Sequence, residues 1–318
     1  ITKAAHKNSL FGTFLVVAGY YCMKANGWQS WVERVFFRVF SERNRKVIER
    51  ITINVSVAGF IIHLLLILLK NYDIFHSRMD NILLADPISA IYTPFSIILI
   101  YEIYLLIHFL PRSFTSSVSK QFEIISLIII RRIFGEIPHI DLMASWFTTP
   151  ENLQLIYDLV GILILFFLIY LFNRSRAKFV KSELKDNLRR FVNSKRAISL
   201  ILLPVLVFTS LYTLVSWLET QFSGASITSS FHLNSIFYNE FFTILILADV
   251  FILLLSFQYT ERYTQLIRNT GFVICTILIR LSFATDGLTN IALIISSVSF
   301  GLLVLSIYQA TEASRKRK

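Results

Sequence analysis

Three stretches of the chain run without a charged side chain for longer than soluble core helices sustain: Ile51 to Leu69 over 19 positions, Ala197 to Leu218 over 22 and Gly287 to Thr311 over 25. A membrane-spanning helix needs about 20 predominantly apolar residues, so each is long enough to cross. Five further segments read as spans or near-spans: Ile91 to Leu110, Phe114 to Ile133, Leu153 to Phe172, Phe241 to Gln258 and Asn269 to Thr285. Phe114 to Ile133 is the least apolar, because Lys120, Glu123, Arg131 and Arg132 leave only Ile124 to Ile130 uncharged. The pattern predicts an all-α polytopic transmembrane helical bundle with eight core spans.

Two elements precede that bundle. Ser9 to Met23 is uncharged between Lys7 and Lys24, which is short for a span and like the apolar part of a signal sequence, but no small-residue cleavage site follows. Residues 9–24 read equally as a ninth, N-terminal span and as a re-entrant or interfacial piece. Trp28, Trp31, Val32, Val35, Phe36, Val39 and Phe40 then recur at helical spacing, with Glu33, Arg34, Arg38 and Glu42 opposite. This predicts an amphipathic helix in the plane of the cytoplasmic membrane face, the alternative being that its stripe packs on the bundle.

An internal echo organises the spans. Phe95 to Leu105, FSIILIYEIYL, matches Phe242 to Ile252, FTILILADVFI, 147 positions later, and both carry one carboxylate, Glu102 or Asp249. Arg132 and Arg280 align on the following helices once a single residue is inserted. The expected organisation is an N-terminal part (1–50), a four-helix repeat (51–173), a basic linker (174–196), a second four-helix repeat (197–311) and a basic tail (312–318). Four helices return the chain to its starting side, so the repeats would be parallel, related by an axis along the membrane normal.

Composition changes this picture little, with 55% hydrophobic residues and a mean hydropathy of +0.62. The net charge of +11 would fit a nucleic-acid binder, but the basic residues punctuate alternate loops. Six fall between Arg34 and Arg50, nine between Arg174 and Arg196 and four in the terminal RKRK, while only Lys70 and Arg78 fall in loops of the other side. That is the positive-inside distribution, so nucleic acid is excluded as a partner and the C-terminus is expected in the cytoplasm, in a bacterial inner membrane. Within the linker, Val180, Leu184, Leu188 and Phe191 share a helical face, giving a surface helix suited to anionic lipids, or a linker that only sets topology. Cys22 and Cys275 offer neither a disulfide framework nor zinc spacing.

Candidate chemistry lies in the charges inside the spans. A carboxylate at mid-bilayer costs roughly 2.5–3.5 kcal/mol on insertion scales, so Glu102 and Asp249 call for a purpose. Arg131, Arg132 and Arg280 are their candidate partners, with Arg132 and Arg280 expected to set their ionisation. Asp158 reads as an interfacial charge or a partner of Arg131 or Arg132. His63 and His108 read as proton relays or as hydrogen bonds to a neighbouring helix. Pro94 and Pro204 are expected to free a carbonyl and kink their helices. The acid–arginine pairing differs from voltage-sensor domains, which repeat several arginines along the fourth helix. No Walker loop, HExxH, GxSxG or dinucleotide fingerprint occurs. Glu136, His139, Asp141 and Glu151 form a solvated acidic loop rather than a metal site, so no metal, cofactor or catalytic residue is expected. The expected function is an ion or proton channel or transporter, its partners being the bilayer, small ions or protons, and further copies or subunits. The alternative is a non-transporting subunit or anchor that recruits a partner through its basic face.

Overall fold

The computed structural model describes residues 26–71, 87–136, 149–177, 186–222, 230–260, 262–285 and 287–317, and among these described residues nine helices follow in order. They are α1 (Asn26–Val39), α2 (Glu42–Asn71), α3 (Tyr92–Phe109), α4 (Phe114–Glu136), α5 (Pro150–Ala177), α6 (Asp186–Phe222), α7 (Ser230–Tyr259), α8 (Tyr263–Ser282) and α9 (Gly287–Arg317), with a short 3-10 turn at Pro87–Ile91 leading into α3. Among the described residues there is no strand, and the all-helical expectation holds. The N-terminal segment 9–24, the acidic loop residues His139 and Asp141, and the linker positions Val180 and Leu184 lie outside the described residues.

Every one of the eight expected segments is a helix, but among the described residues six, α2, α3, α5, α6, α7 and α9, are long and apolar enough to cross a membrane. The eight-span expectation is therefore met for six. The shortfall has a physical cause, since α4 and α8 carry their polar groups on packed faces. Ser117, Ser119, Gln121 and Ser126 of α4 are buried, as are Asn269, Thr276 and Arg280 of α8. A helix shielded by its neighbours needs less apolar surface than one facing lipid.

Consecutive helices pack from α2 through α5 and again from α6 through α9. The two runs meet where α9 lies on α5, α4 on α8 and α3 on α6. Phe122, Phe172 and Phe272, all fully buried, interlock edge to face at this seam. Outward, the bundle exposes Ile61, Ile62 and Leu65 on α2, Leu163 and Phe167 on α5, Phe208 on α6 and Leu303 on α9. So continuous an apolar exterior has no place in water and is what hydrocarbon requires.

The amphipathic helix α1 forms as expected, and its apolar stripe packs on the bundle, the alternative given for it. Val32, Phe36 and Phe40, spaced four apart, are buried against the bundle, where α1 contacts α6. Arg196 of α6 fastens it, donating to Glu33 Oε1 at 2.9 Å and lying 4.7 Å from the centre of the Phe37 ring. Trp28 and Trp31 remain exposed, stacked on each other at 5.1 Å. The following helix starts at Ser41, whose hydroxyl accepts the Asn44 N–H at 3.1 Å as an N-cap. In its first turn, the hydrogen bond from Arg45 holds the Glu42 carboxyl below the usual carboxylate range.

The prolines differ from expectation in one respect. Pro94 is the third residue of α3, in the first turn where a backbone N–H has no intrahelical acceptor, so it imposes no kink. Pro204 lies in the interior of α6, as expected. Glycines set the approach of α9, since a Cβ on Gly271 would meet Val304 Cγ2 at 2.8 Å and one on Gly161 would meet Ile291 Cγ2 at 2.7 Å. The small-residue step on α9 works similarly: Ser297 Oγ donates to the Cys275 carbonyl at 2.7 Å, and Gly301 lies against Phe122 and Cys275.

Overpacking such a contact costs about 1–3 kcal/mol. Gly271→Leu and Gly161→Leu should therefore lower the thermal unfolding midpoint of the purified protein. Gly27→Leu, where nothing lies within 4 Å, should leave it unchanged.

Candidate functional site

Each acid expected inside the membrane meets an arginine, and each meeting joins different helices. Glu102 on α3 is 3% exposed and accepts from Arg131 Nε of α4 at 3.2 Å. Asp249 on α7 is 5% exposed and accepts at Oδ2 from Arg280 Nη1 of α8 at 2.5 Å and from the Thr276 hydroxyl at 2.7 Å. Both acids sit near the middle of their helices, beyond the reach of snorkelling.

The expected pairing of Glu102 with Arg132 is corrected: the partner is Arg131. Adjacent residues on a helix point about 100° apart, so Arg131 and Arg132 serve different neighbours. Arg132 turns to α5 and holds Asp158 in a two-pronged bond, Nε to Oδ2 at 3.0 Å and Nη2 to Oδ1 at 2.6 Å. Asp158 is fully buried within the protein, and Gln154 Nε2 also donates to its Oδ1 at 3.1 Å. Arg132 Nη2 further donates to Asn290 Oδ1 on α9 at 3.0 Å. The Asn290 amide in turn donates to the carbonyls of Ser282 and Thr285, tying the end of α8 into the network.

A second polar cluster crosses between the two runs of helices. Arg280 Nη2 donates to Gln121 Oε1 on α4 at 3.3 Å, and the Gln121 amide donates to Ser117 Oγ at 3.2 Å. Gln121 and Ser117 face a cavity of about 20 Å³ whose wall also includes Asp249, Thr276 and Lys195. Lys195 lies near the start of α6 and is 2% exposed. Its ammonium donates to the Arg112 carbonyl at 2.7 Å and sits 4.4 Å from the Phe114 ring centre and 5.4 Å from that of Phe191. A smaller cavity, about 10 Å³, lies beside Asp158 among Ile129, Ile162, Ile291 and Ile294.

The histidines stand apart from these clusters. His63 Nδ1 pairs with Thr93 Oγ1 at 2.6 Å, joining α2 to α3 as the expected bond to a neighbouring helix. His108 is buried among Phe40, Tyr104 and Phe109, with Nε2 4.0 Å from Glu42 Oε1. The eight site residues thus form three acid–arginine pairs and two separate histidines. Among the described residues no group of three or more His, Cys, Asp or Glu could hold a metal ion.

Sequence reasoning missed Lys195, Gln121, Thr276 and Asn290. Lys195 was hidden among nine basic residues of one linker. Asn290 carried a usable signal as an amide inside a 25-residue uncharged run.

Removing one partner of a buried ion pair leaves an uncompensated charge and costs about 3–5 kcal/mol. A double-mutant cycle between Glu102→Gln and Arg131→Gln should show strong coupling in unfolding free energy, with the double variant less damaged than the single variants predict together. The same cycle with Arg132→Gln should be near additive, and coupling of Arg132 should appear with Asp158→Asn. The chain matches no protein-family model, no curated protein and no solved structure, so its function is argued from this arrangement alone.

Proposed function

We propose that the protein is an integral membrane channel or transporter for small ions or protons, described here in a closed state. The observation that carries this reading is the cavity on which Lys195, near the basic end of the bundle, and Asp249, at mid-membrane, share a wall. Charged groups facing a cavity large enough for a water-sized species are what an ion route requires and what a purely apolar anchor lacks. On this reading α4 and α8 also cross the membrane, giving eight spans, with the basic end in the cytoplasm of a bacterial inner membrane.

The packing order supports two parallel repeats, α2–α5 and α6–α9, because α4 on α8 and α5 on α9 each pair a helix with its own counterpart. A twofold axis along the membrane normal does that. The copies have diverged, since α3 lies on α6 with no comparable packing of α7 on α2 among the described residues. Opening requires the Asp249–Arg280 pair to part, which frees a carboxylate and a guanidinium toward the cavity.

A second reading rests on α1, whose exposed Trp28 and Trp31 beside Arg34 and Arg38 suit a membrane surface or a partner subunit. Purified protein in liposomes separates the two. Under the first reading the wild type conducts small ions or protons, and Asp249→Asn with Arg280→Gln changes the rate at least about tenfold, as losing a charge-assisted hydrogen bond implies. If the wild type conducts nothing and the paired variant alters only recovery of a larger complex, the subunit reading replaces it.

A further inference from the structure

The buried charges of the bundle do not cancel. Glu102 with Arg131, Asp158 with Arg132 and Asp249 with Arg280 are each neutral as pairs. Lys195 has no carboxylate within 4.0 Å among the described residues, although it is almost fully buried. With the Lys195 amine protonated, the cavity wall it shares with Asp249 has two cations close by, Lys195 and Arg280, against one carboxylate. The Arg112 carbonyl and the faces of Phe114 and Phe191 soften the ammonium's desolvation but supply no negative charge.

We propose that this cavity is a binding site for a small monovalent anion of the halide class, held by the Lys195 ammonium and the Ser117 hydroxyl. An ammonium has three N–H donors, and one is committed to the Arg112 carbonyl. The Ser117 oxygen already accepts from Gln121, which leaves its O–H to donate. The rest of the wall is apolar, with Leu110, Ile252 and Phe272. Few donors and hydrocarbon walls suit a weakly hydrated anion. Lys195 and Arg280 disfavour a cation, and a single ammonium on the wall balances one negative charge, which favours a monovalent anion over sulfate or phosphate. The proposal names the ion for the translocating route above and rests on that reading only where flux is concerned.

The test uses the purified full chain in chloride-free gluconate buffer, titrated with chloride and followed by chloride NMR line broadening and by the thermal unfolding midpoint. Binding should saturate, should be displaced by bromide and nitrate, and should ignore sulfate. Lys195→Met, which replaces a buried ammonium with an apolar chain of similar length, should keep its helix content and lose at least about tenfold in affinity, the value of a charge-assisted hydrogen bond. Ser117→Ala should weaken binding by a smaller factor and serves if Lys195→Met does not fold. A wild type without saturable binding, or variants that bind as well as the wild type, overturns the proposal and leaves a water beside a neutral lysine amine as the occupant. Chloride flux from liposomes separates the two readings. Halide binding without flux keeps the site and removes the translocating role, whereas ion flux without halide binding does the reverse.

Discussion

A charge in a low-dielectric interior must find an opposite charge or a set of hydrogen bonds, and that demand dictates which helices of this bundle touch. The Glu102–Arg131 pair binds α3 to α4, Asp158–Arg132 binds α5 to α4, and Asp249–Arg280 binds α7 to α8. Apolar side chains cannot give such specificity in a membrane, where lipid solvates them as well as protein does. Buried pairs add little net stability for their desolvation, but a wrong neighbour would strand a charge, so they select one arrangement.

The same demand explains why α4 is central although it is the least apolar of the expected spans. It carries Arg131 and Arg132, the arginines of the first run's two buried acids, and Gln121, and it contacts α3, α5 and α8. A helix with charges on three faces is tolerated only where every face has a partner. Any movement that opens a route must exchange these bonds for others, so the bundle is expected to switch between discrete arrangements rather than deform smoothly.

Much of this was legible in the residues. Uncharged runs located the helices, and the acids at Glu102 and Asp249 marked the charged interior. Helical spacing located α1 and its buried stripe of Val32, Phe36 and Phe40. The choice between Arg131 and Arg132 was not legible, because sequence alignment is insensitive to the 100° that separates adjacent residues, whereas packing depends on it. Lys195 was equally hidden, since a basic residue at a helix end obeys the positive-inside rule whether it faces headgroups or turns inward. Hydropathy likewise missed the role of α4 and α8, for it measures a helix as though lipid surrounded it.

The departures from symmetry say where to look for function. The first run matches two arginines to two acids, Glu102 and Asp158, but the position in register with Asp158, 148 residues later as Arg280 follows Arg132, is Ser306, an exposed residue of α9. The second run therefore has one acid for Arg280, and the remaining polarity comes from Gln121 across the seam and from Lys195 beside it. A structure that used its charges only to fasten helices would have no need for an ammonium lacking a carboxylate, since an apolar side chain there would be cheaper to bury. The imbalance falls in the cavity at the seam between the two runs, which is where a species exchanged between two bundles would have to sit.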